Sequence, residues 1–132
     1  MRTLHLTKEH FDENGWYIGE ANVTNFEGSI EIAAGLGWCR FKASVRASRS
    51  VVALAGTGIK AGEGIEAGRG IEAGEGIEAG GTLRIAFRIF AGIANWLKTP
   101  SPEQKRISCK RLESGEVCYG ELVETEKAEA NV

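Results

Sequence analysis

No apolar run in this 132-residue chain approaches the length of a membrane span. The opening Met1-Arg2-Thr3-Leu4-His5 lacks the apolar stretch of a secretory leader, so a cytoplasmic protein is expected. Cysteine is scarce and odd in number: Cys39, Cys109 and Cys118 argue against a disulfide framework and read as free thiols, Cys109 and Cys118 as small buried residues. The only histidines, His5 and His10, both precede the repeats described next, and no metal-ligand spacing, phosphate loop or nucleophile elbow is present. A non-catalytic protein with no cofactor is therefore the expectation. The only prolines, Pro100 and Pro102, share the breaker Thr99-Pro100-Ser101-Pro102-Glu103, which marks a boundary.

What the chain has in quantity is glycine, and it is periodic. From Gly58 to Gly80 one hexad runs four times, with Ile59, Ile65, Ile71 and Ile77 in phase and the charged positions varying. In an extended strand the Ile and the Ala two places later point to one side and the charged residue between them points to the other. Two glycines per hexad disfavour helix, and their four-and-two spacing is not collagen's three. They free the backbone for the positive-φ corners by which a strand would turn onto a next face. The pattern predicts an all-β chain, a single-stranded β-helix or β-solenoid of hexapeptide repeats.

Three hexads per turn would stack residues eighteen apart. Ile65 then falls over Leu83, Ala67 over Ile85 and Ile71 over Ile89, while Ala55-Gly56 would stack on Ala73-Gly74 and Ala91-Gly92. Lys60 would meet Glu78, and Glu66 would meet Arg84. Upstream, Ile32 to Gly37 reads as another hexad, but Ile32 lies twenty-seven residues before Ile59, so an insertion or bulge must intervene.

Residues 1–31 read as an N-terminal β cap with a turn at Asn14-Gly15, residues 32–97 as the repeat array, and residues 98–132 as a Pro-containing linker, a β-hairpin around Glu113-Ser114-Gly115 and a frayed tail. The net charge of −2 hides segregation. Residues 40–49 hold Arg40, Lys42, Arg46 and Arg49 and no acid, interleaved with Trp38 and Phe41, a pattern able to hold phosphates or an acidic surface. A second basic run, Lys105, Arg106, Lys110 and Arg111, lies on or before the expected hairpin. Glu63, Glu66, Glu72, Glu75 and Glu78 make up an expected acidic face, which could imitate DNA phosphates.

The hexads resemble those of the hexapeptide-repeat left-handed β-helix family, with Ala and Ile in exchanged positions. Acyltransferases of that family are trimers that use a histidine in or beside the coils, which here would have to be His10, between subunits. The G-I-x-A-G array, with Arg88 to Trp96, Thr99 to Glu103 and Leu112 to Gly115, resembles small proteins of enterobacterial phages and prophages over roughly residues 58–123. That resemblance implies a bacterial cytoplasmic setting and a binding role, such as blocking a CRISPR-type immune effector complex. The expected partner is a bacterial protein or nucleoprotein, nucleic-acid contact included. A self-associating, bactofilin-like β-helix is the structural alternative, and a small homo-oligomer, a dimer first, is expected.

Overall fold

The computed structural model describes residues 3–54, 56–91 and 106–124. Apart from one 3-10 turn at Lys8–His10, its elements are strands. In chain order they are β1 (Thr3–Leu6), β2 (Ser29–Ile32), β3 (Gly37–Phe41), β4 (Val45–Ala47), β5 (Val51–Ala53), β6 (Thr57–Ala61), β7 (Ile65–Ala67), β8 (Ile71–Ala73), β9 (Ile77–Ala79), β10 (Thr82–Ala91), β11 (Arg106–Cys109), β12 (Arg111–Tyr119) and β13 (Glu121–Glu124).

Among the described residues all pairs between these strands are parallel, and the hexad dictates which residues meet. Val45, Ile65, Leu83 and Leu112 lie in one row across β4, β7, β10 and β12. Ile30, Val51, Ile71, Ile89 and Val117 form a second row across β2, β5, β8, β10 and β12. Cys39, Ile59, Ile77, Ile107 and Leu122 form a third across β3, β6, β9, β11 and β13. Because β10 spans two rows, the first two belong to one curled sheet and the third to a second sheet. The inward residues of all three rows share one core, in which Val45, Val51, Ile59, Ile77, Leu83, Ile85, Ile89 and Ile107 have no exposed surface. Burying each such side chain contributes about 1.5–3 kcal/mol.

The eighteen-residue stacking of Ile65 on Leu83, Ala67 on Ile85 and Ile71 on Ile89 is observed. Between the preceding rows the spacing is twenty, from Val45 to Ile65 and from Cys39 to Ile59. The two extra residues lie between β5 and β6, where the expected insertion is built around Thr57. Its buried hydroxyl donates to the Ala33 carbonyl at 2.6 Å and accepts the Leu36 amide at 3.1 Å, so a polar group in the core is satisfied on both sides. The insertion also shifts two assignments. Ala53, not Ala55, stands opposite Ala73, and Ile32 occupies the third, Ala-type position of its hexad, with Ile30 at the first.

Two further corrections concern glycine and the C-terminal segment. Positive φ does not occur at Gly62, Gly64, Gly68, Gly70 or Gly80; it occurs outside the regular hexads, for example at Gly35, Gly37 and Gly56. The hexad glycines are there for contact, since a Cβ on Gly68 would stand 1.9 Å from the Ser48 carbonyl oxygen and one on Gly80 2.3 Å from that of Gly62. The expected C-terminal hairpin does not form. β11 pairs in parallel with β9 and β13, and β12 pairs in parallel with β10, extending the same rows. Gly115 is a bend inside β12 at φ 120°, pressed against Ile85 and Ile89, because the next row offers apolar surface that a projecting hairpin would leave bare.

At the other end, the Asn14-Gly15 turn is present: the Gly15 amide donates to Asp12, Phe11 and Tyr17 bridge across it, and Gly15 has φ 87°. Trp16 then bridges to Arg40, Phe26 to Ala47 and β1 to β2, so this segment adds an edge to all three rows. Phe11, Tyr17 and Phe41 form an aromatic cluster with ring centroids 5.4–5.8 Å apart. The boundary at residues 99–103, Trp96, Lys105 and the tail from residue 125 lie outside the described residues.

Candidate functional site: a cationic groove beside Trp38

Alternation along β3, β6, β9 and β11 turns Cys39, Ile59, Ile77 and Ile107 inward and leaves their neighbours outward. The outer surface of this sheet therefore carries Trp38 and Arg40, then Gly58 and Lys60, then Gly76 and Glu78, then Arg106 and Ser108. Gly58 and Gly76 are buried and add no side chain to it. Among the described residues Trp38, Arg40, Lys60, Ile77, Glu78, Arg106 and Ser108 line a groove of about 280 Å³.

Each wall has a physical cause. Trp38 lies over Gly58: a Cβ there would come within 3.0 Å of indole Cε3 and 3.1 Å of Cζ3, so only glycine lets the ring rest there. Arg40 has its guanidinium carbon 5.8 Å from the Trp16 ring centroid, a cation–π distance, and its Nε is buried with no hydrogen-bond partner. Lys60 is next to Arg40 in register, and Lys60 Nζ is 3.5 Å from Glu78 Oε2. Among the described residues three cations and one carboxylate line the groove, and Glu121 faces Arg106 in register from β13.

The other sequence-predicted residues are dispersed, because the chain turns a corner every six residues. Lys42 sits at the corner after β3, beside Tyr17 and Thr24. Arg46 is on the neighbouring row, where Arg46–Glu66 (2.6 Å), Glu66–Arg84 (3.8 Å), Arg84–Glu113 and Glu113–Arg111 make a ladder of alternating sign. Within it the Arg84 and Arg111 guanidiniums hold the Glu113 carboxyl below the usual carboxylate range. Arg49 is at the next corner, its carbonyl accepting from the Arg69 amide and that of Arg69 from Phe87. Phe87 is 65% exposed. Lys110 lines a hollow with Arg46, Glu63 and Arg84. Lys105 lies outside the described residues.

The five glutamates do not form one acidic face. Glu66, Glu72 and Glu78 stand on three different rows, Glu66 and Glu78 in ion pairs, while Glu63 and Glu75 are at corners. Partial burial raises the pKa of Glu75. Cys39 and Cys109 are buried, with thiols pushed up to about 12 and about 11, whereas Cys118 is exposed, contrary to expectation. His10 Nδ1 accepts the Thr7 amide at 2.9 Å and closes the 3-10 turn; His5 is 3.7 Å from Glu31.

The structure thus joins Arg40 of the first basic stretch to Arg106 of the second, and adds Lys60, which in the sequence only interrupts an acidic block. The signal that unites them is additive: twenty residues from Arg40 to Lys60 and eighteen from Lys60 to Glu78. A larger hollow of about 650 Å³ beside the 3-10 turn is lined by Lys8, Glu9, Asp12 and Glu13 and lacks such a cationic cluster. Comparison with protein-family models, with curated proteins and with solved structures finds no match. Among the described residues no helix is long and apolar enough to cross a membrane.

Proposed function

We propose that the chain is a three-sided β-solenoid of hexapeptide repeats, in the manner of the β-helix family its hexads resemble, and that it acts by binding. The groove is the contact surface, and the partner is a bacterial protein or nucleoprotein. The observation that carries this reading is the convergence of Trp38, Arg40, Lys60 and Arg106, from β3, β6 and β11, on one groove. Half-buried aromatic and arginine side chains on a rigid surface are what binding hot spots are made of. The resemblance to phage and prophage proteins names the partner class, a CRISPR-type immune effector complex that the protein would block.

The test is phage plating on a bacterium whose CRISPR-type immunity targets that phage, paired with retention of the purified effector by the immobilised protein. The wild type should restore plaques and retain effector, and the neutralised variant Arg40→Gln, Lys60→Gln should do neither while melting within a few degrees of wild type. A wild-type protein that restores no plaques and retains no effector refutes the reading.

A second reading, self-association, is favoured by one observation. Leu122 and Val123 of the last described strand are 36% and 42% exposed, so β13 offers apolar surface at a sheet edge. Under it the protein sediments as a small oligomer, dimer first, and Val123→Lys shifts it to monomer. A wild type that stays monomeric at high concentration removes this reading.

A further inference from the structure

Resting on the binding role just proposed, we infer that the groove takes a single-stranded nucleic-acid segment, with a base stacked on Trp38 and phosphates held by Arg40, Lys60 and Arg106. Two features of the groove favour a strand over an acidic peptide or a duplex.

The first is the indole. Gly58 lets Trp38 lie on the sheet, half-buried yet lining the groove, so part of its π surface is available to a planar partner. Carboxylates of an acidic peptide would satisfy the cations but offer the indole no aromatic face. A base within a duplex is already stacked on both faces, whereas a base in a single strand can use Trp38 as its neighbour.

The second is the arrangement of charge. Arg40 and Lys60 are adjacent in register, about 4.8 Å apart along the ladder, and Arg106 stands two strands beyond Lys60. Among the described residues three cations stand against Glu78 in the groove lining, with Glu121 beside Arg106 in register, so the described lining is net positive.

Base stacking joined to phosphate contacts is sequence-tolerant and open to RNA and DNA strands alike.

The experiment is fluorescence anisotropy of the full chain against a labelled mixed-sequence RNA of about twelve nucleotides, the DNA strand of the same sequence and the corresponding duplex, at several salt concentrations. Either strand should bind more tightly than the duplex, with log K falling against log salt at a slope of about −2, the sum of three contacts at roughly −0.7 each. Trp38→Ala should weaken binding by about 5- to 150-fold, the equivalent of the ~1–3 kcal/mol of one base–aromatic stack, and Trp38→Phe should restore most of it. Arg106→Ala, at an exposed position, should flatten the slope by about 0.7 whether or not Trp38→Ala folds. Equal affinity for strand and duplex, an unchanged slope in Arg106→Ala, undiminished binding by folded Trp38→Ala, or no strand binding at all overturns the inference. If strands fail to bind while effector retention still depends on Arg40 and Lys60, the groove meets a protein surface and only this inference falls. If strands bind and no effector is retained, the immune-effector reading falls instead.

Discussion

Replacing Gly68 by alanine tests the row-to-row packing at its tightest point. The new Cβ would lie 1.9 Å from the Ser48 carbonyl oxygen and 2.8 Å from its carbon, and both are backbone atoms that cannot rotate away. Separating them to an ordinary contact moves the corner by more than 1 Å, judged from the van der Waals range near 3.4 Å. The hydrogen bonds on either side, Gly68 N to Ala47 O at 3.1 Å and Arg69 N to Arg49 O at 2.9 Å, would stretch with it. Overpacking costs about 1–3 kcal/mol and each weakened bond about 0.5–1.5 kcal/mol, so a loss on the order of 2–5 kcal/mol is expected. At roughly 3–6 °C per kcal/mol for a chain of this size, the melting temperature should fall by on the order of 10–20 °C. Gly35→Ala is the control: Gly35 has φ 75° with nothing within 4 Å of the added carbon, so only the left-handed backbone penalty of about 1–2 kcal/mol applies. Thermal and urea unfolding followed by circular dichroism would rank the two. A Gly68→Ala protein no less stable than Gly35→Ala would mean that Ser48 does not cross Gly68, and the twenty-residue register of β4 on β7 would be wrong.

Glu113 gives a pH test. Hydrogen bonds from Arg84 and Arg111 lower its pKa in the folded protein, so its contribution is fully present above the ordinary carboxylate range near 4.3 and is lost as pH falls through the lowered value. Glu113→Gln should therefore be less stable than wild type at neutral pH, with the gap in urea midpoint closing below about pH 4; a gap that persists in acid refutes the assignment. Thiol labelling under native conditions should modify Cys118 quickly and leave Cys39 and Cys109 until the protein unfolds, because burial pushes those two thiols up to about 12 and about 11. Fast modification of Cys39 would mean that β3 is not packed as described.

The alternating parity of Ile59 to Ala79 and the eighteen-residue stacking were legible because each hexad repeats one local solution, and parity in a strand is fixed by backbone geometry alone. The row before it was less so. The segment from Val51 to Gly58 holds two alanines, and Ala55-Gly56 matches the A-G wording of the hexads, yet Ala53 makes the contact with Ala73, because the two extra residues, held by Thr57, fall between Ala53 and Ile59. Glu113-Ser114-Gly115 fails for a related reason. A hairpin tip and a bend inside a strand use the same turn residues, and only the apolar row formed by Ile85 and Ile89, far off in sequence, selects the bend. The groove was hidden most deeply, since Trp38, Lys60 and Arg106 meet only after two different spacings and a stretch that carries no hexads at all.

The outward charges show why that groove stands apart. On the row of β4, β7, β10 and β12 the signs alternate from Arg46 through Glu66, Arg84 and Glu113 to Arg111, and a slip of one strand would set like charges together, so the ladder specifies register. On β3 and β6 the alternation breaks, with Arg40 directly beside Lys60. Directly opposed like charges are destabilising by a few tenths to about 1 kcal/mol, and a surface shaped for stability alone would place an acid at one of the two positions. Arg40→Glu makes that change. It removes a cation–π contact with Trp16 of about 0.5–1 kcal/mol and creates a Glu–Lys pair of similar size, so the melting temperature should stay within a few degrees of wild type. Strand affinity should fall by at least tenfold, because a phosphate contact is lost and a repelling carboxylate takes its place. If the variant binds as tightly as the wild type, the like-charged pair serves no anionic ligand. If it binds poorly only because it has unfolded, as its melting curve would show, the pair belongs to the fold. Loss of binding with retained stability is the outcome that ties the exception in the charge pattern to something outside the chain.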